Sequence, residues 1–588
     1  MKNNLIISSL RKTLGLLPHQ FKMRSLFMLI LTMFNSILDL IGLAALLPFF
    51  GVILTPGFIQ ENEWLRLFYE LLNFQSETNF IIFLSLLILG IIITKNLIGL
   101  WINYIQGKFT WTVYHHLATK MLRGTYDKGY LYFTNNNSNK IFNNIVYSTE
   151  LFCTTLVQKL IIFINELLIL IFICISLMVY DYKIILILIS TVVPVYSFFY
   201  YITKGEIQEI GRKQYEIAPH IKKPIFEIIF GINDVIINNS FRSFSDKFSK
   251  AVKDISRYKI RGEMLTHTSP RLMEVAVIMA VLILMLYGVL YIKDRNMIIT
   301  LIGIFGLAAY RAIPTINRMM IAIMSIKSAQ HIFPVLETIR EIKVIDNKDE
   351  ISFNSRIELD GLSFQYPNTQ TYSLSNVSFT IKRGESIGLI GKSGSGKTTL
   401  MNVLLQFVTQ TSGDIKLDGK PLSLNNLPSW RKKIGYVSQD VFLIDGSVAE
   451  NIAFGMPHDE LDEAMLNKVI EQASLKEVID NLENGIHHAI GERGVKLSGG
   501  QRQRLGIARA LYSGAEILFF DEATSALDSV TEGEITESIR KLSSSDLTMF
   551  IIAHRITTLK YCDRIIEMSE GVVVGESDYN TIYQKMNK

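Results

Sequence analysis

Cysteine is almost absent. The three present, Cys153, Cys174 and Cys562, lie far apart and none has metal-ligand spacing. That argues against a disulfide scaffold and against a zinc site. Charge imbalance is also missing: the formal net charge is only +5, spread along the chain, which gives no case for nucleic acid as a partner. Residues 1–20 lack a small-residue cleavage site after a short apolar core, so no signal peptide is expected. The first half of the chain has few charges inside long apolar runs, and mean hydropathy is positive. Residues 351–588 instead have the mixed composition of a soluble α/β domain.

Six apolar runs are long enough to cross ~30 Å of hydrocarbon: residues 25–54, 80–105, 151–180, 184–202, 272–292 and 297–326. The pattern predicts an all-α membrane domain over residues 1–330, a linker over 331–350 and a soluble α/β domain over 351–588. Arg11, Lys12, Lys22 and Arg24 precede the first run. By the positive-inside rule the N-terminus is cytoplasmic, and six crossings return the chain to the same side. The inner connections 107–140 and 203–268 are long and basic, with residues 126–139 and 217–230 as candidate contact turns. The outer connection 55–79 is not short. Within residues 61–74, Trp64, Leu67, Phe68, Leu71 and Leu72 share one helical face, the signature of an amphipathic helix on the outer membrane surface. A helix that merely packs on the bundle is the other reading.

Charges inside spans are costly. The cations are Lys95, Arg271, Arg311 and Arg318, and the acids are Asp39, Glu166 and Glu274. Arg311 and Arg318 are seven residues apart, on one face and about 10 Å apart along the axis. Two readings stand open: the cations neutralise the acids between helices, or some face a cavity and bind an anionic substrate. Pro314 between the arginines is expected to kink that helix.

In the second half, Ser386-Ile387-Gly388-Leu389-Ile390 reads as a buried parallel strand and Leu400-Met401-Asn402-Val403-Leu404-Leu405 as a helix. Between them lies Gly391-Lys392-Ser393-Gly394-Ser395-Gly396-Lys397-Thr398-Thr399. Strand, glycine loop and helix are the context of a P-loop: backbone N–H groups cradle phosphates, Lys397 reaches the β/γ-phosphates and Thr398 ligates Mg²⁺. Downstream, Ile517–Phe520 reads as a buried strand. Asp521 at its end would hold Mg²⁺, and Glu522 would orient or deprotonate a water. Ser498-Gly499-Gly500 opens a helix and forms a second phosphate site. One chain cannot readily use both sites on one ATP, which points to dimerisation.

Residues 357–575 resemble the nucleotide-binding domain of ABC transporters. Tyr366 is similar to the aromatic that stacks on adenine, and Gly391–Thr398 to Walker A. Gln439 matches the Q-loop glutamine that senses Mg²⁺ and substrate. Ala489–Gly494 matches the exporter stretch that contacts the membrane half. Leu497–Gln501, including Ser498, Gly499, Gly500 and Gln501, resembles the signature. Asp521 matches the Walker B aspartate, Glu522 the catalytic base, Asp528 the D-loop aspartate and His554 the switch histidine. The resemblance implies ATP and Mg²⁺ as cofactors, and a homodimer sandwiching two ATP molecules. It also implies an ABC exporter fold, six transmembrane helices followed by an α/β P-loop domain, working by alternating access. A regulator that binds ATP without turnover is disfavoured by Glu522 and His554.

The membrane half resembles bacterial PglK-type flippases of lipid-linked oligosaccharides. Tyr310-Arg311, Pro314 and Asn317-Arg318 carry the resemblance, with Ser269-Pro270-Arg271, Lys95 and the extra outer helix. It implies that Lys95, Arg271, Arg311 and Arg318 hold a lipid pyrophosphate, and that the outer helix engages a polyprenyl tail. Arginine forks suit pyrophosphate oxygens. The expected function is therefore ATP-driven flipping of a polyprenyl-pyrophosphate glycan across the bacterial inner membrane, for protein glycosylation. The alternative is an exporter of peptides, drugs or other lipids of the lipid A type. No peptidase segment precedes the first span, which weakens a bacteriocin-processing reading.

Overall fold

The computed structural model describes residues 5–45, 49, 51–53, 57–180, 182–291, 295–337, 349–367, 369–523, 529–543, 546–553 and 555–586. The chain forms two compact units, Met1–Ile342 and Lys343–Lys588.

The first unit is helical: α1 (Leu5–Leu16), α2 (His19–Ala44), α3 (Glu63–Leu71), α4 (Glu77–Tyr126), α5 (Gln158–Tyr180), α6 (Tyr182–Phe230), α7 (Phe241–Tyr291) and α8 (Arg295–Ser328). Among the described residues six helices are long and apolar enough to cross a membrane. α4, α6 and α7 have 50, 49 and 51 residues. Each is about 75 Å long, so each runs far beyond the ~30 Å of hydrocarbon. Many apolar side chains on them face outward, such as Leu86, Leu100, Phe198 and Leu290. That suits a lipid solvent and no aqueous one.

The first candidate contact turn is a short helix, Tyr130–Asn135, set off by Gly129 at φ 75°. The second lies further along than expected. α6 runs through Pro219 and Pro224 to Phe230, and the turn is the short helix Ile232–Ile237 after Gly231, with Ile236 and Ile237 exposed. The expected linker also starts later. Ala329–Ile332 and Phe333–Glu337 are helical, and Ile332, Phe333 and Leu336 are buried in one cluster with Leu16, Leu17 and Phe152. An apolar stripe there makes the segment part of the first unit's core.

α3 is capped by Asn62, whose side-chain oxygen accepts from Trp64 N and Leu65 N at 3.1 and 3.2 Å. It packs through a second stripe: Leu65 is buried with Ile59 and Phe80, and Tyr69 meets Phe80 edge-on at 5.2 Å. The expected stripe of Trp64, Leu67, Phe68, Leu71 and Leu72 faces away and is exposed.

Among the described residues the second unit contains ten strands. These are β1 (Arg356–Phe364), β2 (Leu374–Lys382), β3 (Ser386–Ile390), β4 (Ser412–Leu417), β5 (Lys420–Pro421), β6 (Ile434–Val437), β7 (Ile517–Asp521), β8 (Thr548–Ile552), β9 (Arg564–Ser569) and β10 (Val572–Ser577). One sheet is antiparallel in the order β2-β1-β4-β5. The other has the order β10-β9-β3-β8-β7-β6, parallel from β9 to β6. β3, β7 and β8 are mostly apolar and buried along nearly their whole length, as parallel strands covered by helices must be. Helices α9 (Lys397–Leu404), α10 (Gly499–Tyr512) and α11 (Ser529–Ser543) follow the segments that carry the motifs.

Candidate functional site

Two strand ends build the candidate nucleotide face. β8 separates β3 from β7, and its Ile552 is in register with Leu389 of β3 and with Asp521 of β7. The loop after β3 and the acids Asp521 and Glu522 at the end of β7 therefore open at the same carboxyl edge, where ligands of parallel sheets bind. Gly396, the N-cap of α9, has φ 101°, in the left-handed region that favours glycine. A Cβ on Gly391 would lie 2.3 Å from Met568 O, so the loop needs glycine there as well. Lys397 is buried and donates to Gly391 O and Lys392 O at 2.8 and 3.0 Å. Its ammonium thus lies curled within the loop, the place of a phosphate's counter-charge. Burial lowers its pKa, and the charges of Glu522 and Asp521 oppose that shift. Ser395 Oγ is buried without a partner in the same loop. Lys392, Ser393, Gly394 and Thr398 are exposed at the loop mouth, and Thr399 is half-buried behind them.

Burial, then the charge of Glu522, pushes the Asp521 carboxyl above its ordinary range. Tyr436, which the sequence reading did not single out, offers Asp521 its hydroxyl at 3.4 Å and pulls the other way. Glu522 stands at φ 52°, a left-handed conformation for a non-glycine residue, and its N–H donates to Ile552 O at 3.0 Å. Such backbone strain is held where surrounding structure over-determines it, and it occurs often at active sites. A cavity of about 500 Å³ is lined by Gln439, Arg493, Gly499, Arg502, Gln503 and Glu522 among others. Tyr366 meets Phe364 edge-on at 4.8 Å and is half-buried. Asp528 and His554 lie outside the described residues.

The N-terminus of α10, the candidate second phosphate site, is closed by its own cap. Ser498 Oγ accepts from Gln501 N at 3.2 Å, and the Gln501 side chain accepts from Ser498 N at 2.8 Å, a full capping box. The Ser498 hydroxyl keeps its proton free to donate. A Cβ on Gly500 would lie 1.9 Å from Thr531 Cγ2, so α10 and α11 touch through glycine.

In the first unit each of the four expected cations has an acid beside it, which is the neutralising alternative. Arg318 donates to Glu166 through Nε at 2.6 Å and Nη2 at 3.2 Å, and Glu166 is buried. Arg271 is 84% exposed, with Glu274 at 3.5 Å. Lys95 Nζ lies 2.9 Å from Asp39 Oδ1, and Arg311 Nη2 bonds Asp39 Oδ2. Gly42 leaves room for the Lys95 stem, since a Cβ there would meet its Cδ at 2.8 Å. Two cations on one carboxylate leave one positive charge over, and Arg311 Nε is buried without a partner. Lys95 also closes an apolar groove of about 440 Å³ lined by Leu38, Ile41, Leu87, Gly90, Ile91 and Ile98. α8 is continuous through Pro314.

Residues 374–525 match the family described as ABC transporter. The "ATP-dependent lipid A-core flippase" of Dechloromonas aromatica is 30% identical over 579 residues, 94% of each chain. That of Saccharophagus degradans is 31% identical over 400 residues, 67% of each chain. That of Bordetella avium is 39% identical over 247 residues, 42% of each. In fold, the chain is similar to a bacterial Atm1-family ABC exporter with ATP bound, at TM-score 0.76 and 18% identity over 96% of each chain.

Proposed function

This chain belongs to the ABC transporters as an exporter-type half-transporter, a membrane ATPase whose hydrolysis drives transport, and from that premise we propose that it flips an anionic glycolipid of the lipid A type. The observation that carries the reading is the cluster of Lys95, Arg311 and Asp39, where one positive charge is left over inside a span. A phosphate-bearing headgroup is the ligand that such a surplus attracts. The long relatives, named lipid A-core flippases, support a phosphorylated glycolipid. Arg318 and Arg271 play a smaller part here than the sequence pattern implied, since Glu166 and Glu274 stand against them.

A polyprenyl-pyrophosphate glycan is the second reading. The outward apolar stripe of α3 favours it, because a long tail left in the bilayer would run along Trp64, Leu67 and Phe68.

ATP binds in the Gly391–Thr399 loop, with Tyr366 against the adenine. Asp521 and Thr398, with Gln439, would hold Mg²⁺, whose charge offsets that of the phosphates. A buried carboxyl beside Glu522, with its pKa raised, fits a site completed by a cation. Glu522 orients and deprotonates the attacking water, and His554 contacts the γ-phosphate. Ser498, Gly499 and Gly500 serve the ATP of a second copy, and Asp528 lies by that junction, so the working unit is a homodimer. The N-terminus and the ATPase domain face the cytoplasm of a bacterial inner membrane.

The test is ATP turnover in liposomes with a lipid A-type glycolipid, a polyprenyl-pyrophosphate glycan, or unrelated peptides and drugs, beside Glu522→Gln. Stimulation by the first, lost in Glu522→Gln, supports the proposal. Stimulation by the second alone moves the substrate to the polyprenyl class. Stimulation by many unrelated apolar compounds overturns both.

A further inference from the structure

Gln503 lies one turn into α10, past the glycines of the signature, and it is buried. Its Nε2 does not serve its own helix. It donates to Gln439 O at 2.5 Å and to Ser438 O at 3.3 Å. Those carbonyls belong to the segment that leaves β6, where no strand pairs with them. On the same face of α10, three residues on, Gly506 lets the helix come close to that segment: a Cβ there would lie 3.0 Å from Val441 Cγ2 and 3.5 Å from Val437 Cγ1. The other end of the amide, Oε1, is buried without a partner, beside the cavity that Gln439, Arg493, Arg502 and Glu522 share. A buried acceptor left unpaired is unfavourable. The side chain is therefore held in place by its donor end, and it gives up an acceptor bond to grip the loop.

From this geometry we infer that Gln503 is a positioning residue that locks the Gln439 loop to α10. Gln439 and the Ser498–Gly500 amides then move as one body. The loop that carries Gln439 cannot shift toward or away from a nucleotide without carrying the second phosphate site with it. Gln503 itself touches no reacting atom and acts through Gln439. Its backbone partners make the lock independent of which side chain stands at 439.

The experiment is a double-mutant cycle on full-length protein in nanodiscs, reading basal MgATP turnover, KM for ATP and melting temperature. It needs no transported lipid, so its failure is separable from failure of the flippase reading. Gln439→Ala and Gln503→Ala are each expected to lower kcat about tenfold with KM little changed, and the double variant to be no worse than the weaker single one, as for residues acting in one unit. A double variant lower by about a hundredfold, the additive result, would overturn the inference, as would an unchanged kcat in Gln503→Ala. A fall in melting temperature that tracks the loss of kcat would reduce Gln503 to a packing residue and overturn it too. Gln503→Glu supplies an independent reading. Its carboxylate repels the two carbonyls at neutral pH, and its protonated form can donate to them. Relative to the parent, its kcat should recover as pH falls toward 6. A flat ratio across that range counts against the lock.

Discussion

Lys95 Nζ and Asp39 Oδ1 are 2.9 Å apart across α4 and α2, and the same carboxylate holds Arg311 on its other oxygen. All three side chains are mostly buried. The sharing makes the three residues unequal. Removing Lys95 leaves a matched pair, whereas removing Asp39 leaves two cations facing each other.

Asp39→Asn is therefore expected to destabilise the membrane unit by about 2–4 kcal/mol, and Lys95→Gln by about 1 kcal/mol or less. Melting of the detergent-solubilised protein checks the order. Lys95→Gln should still lower lipid-stimulated turnover several-fold more than basal turnover, since it removes the surplus charge and spares the pair.

Gly500→Ala is expected to cost at least tenfold in turnover, because the new Cβ would lie 1.9 Å from Thr531 Cγ2 and tight packing does not yield cheaply. Thr531→Ser removes that methyl. The pair Gly500→Ala with Thr531→Ser should recover much of the activity, measured as steady ATP hydrolysis. No recovery would place the requirement for glycine at the phosphate and not at α11.

Asp521 gives a pH prediction with a definite sign. Its pKa is raised above the ordinary 3.8, burial first and Glu522 second. The folded, nucleotide-free protein thus holds this proton more tightly than the unfolded chain does. The stability that proton confers is fully present below the ordinary value and is lost as pH rises through the raised one. At neutral pH the charged carboxylate is a net burden. Asp521→Asn should raise the melting temperature of the nucleotide-free protein at pH 7 and leave it nearly unchanged at pH 3–4, while abolishing Mg²⁺-dependent turnover. A lower melting temperature at pH 7 would contradict this.

The strand, glycine loop and helix around Gly391–Lys397 and the strand that ends in Asp521 were legible in the chain because their geometry is local. A buried apolar run, glycines that permit the turn and a helix start are consecutive residues, to which the tertiary structure adds only the close approach of Met568 O to Gly391. The same holds for the capping box of Ser498 and Gln501. The stripe of α3 was legible as an amphipathic face turned away from the bundle, but the second stripe of Leu65 and Tyr69 was not, because its partners Ile59 and Phe80 lie on other elements. The second turn lies a few residues beyond the expected stretch 217–230: α6 absorbs Pro219 and Pro224 and ends only before Gly231. Gln503 and Tyr436 were missed, since a polar residue beside a motif carries no sign of its partner.

By itself the sequence determined which segments could cross a membrane and where phosphates could be cradled, because hydrophobic length and backbone freedom are properties of contiguous residues. Only the tertiary structure decided which charges meet. Asp39, Lys95 and Arg311 come from three helices, and Glu166 and Arg318 from two. Whether a cation in a span is free or neutralised depends on the rotation and register of helices far apart in the chain. A change in rotation of one helix by a single residue, about 100°, would have paired them differently.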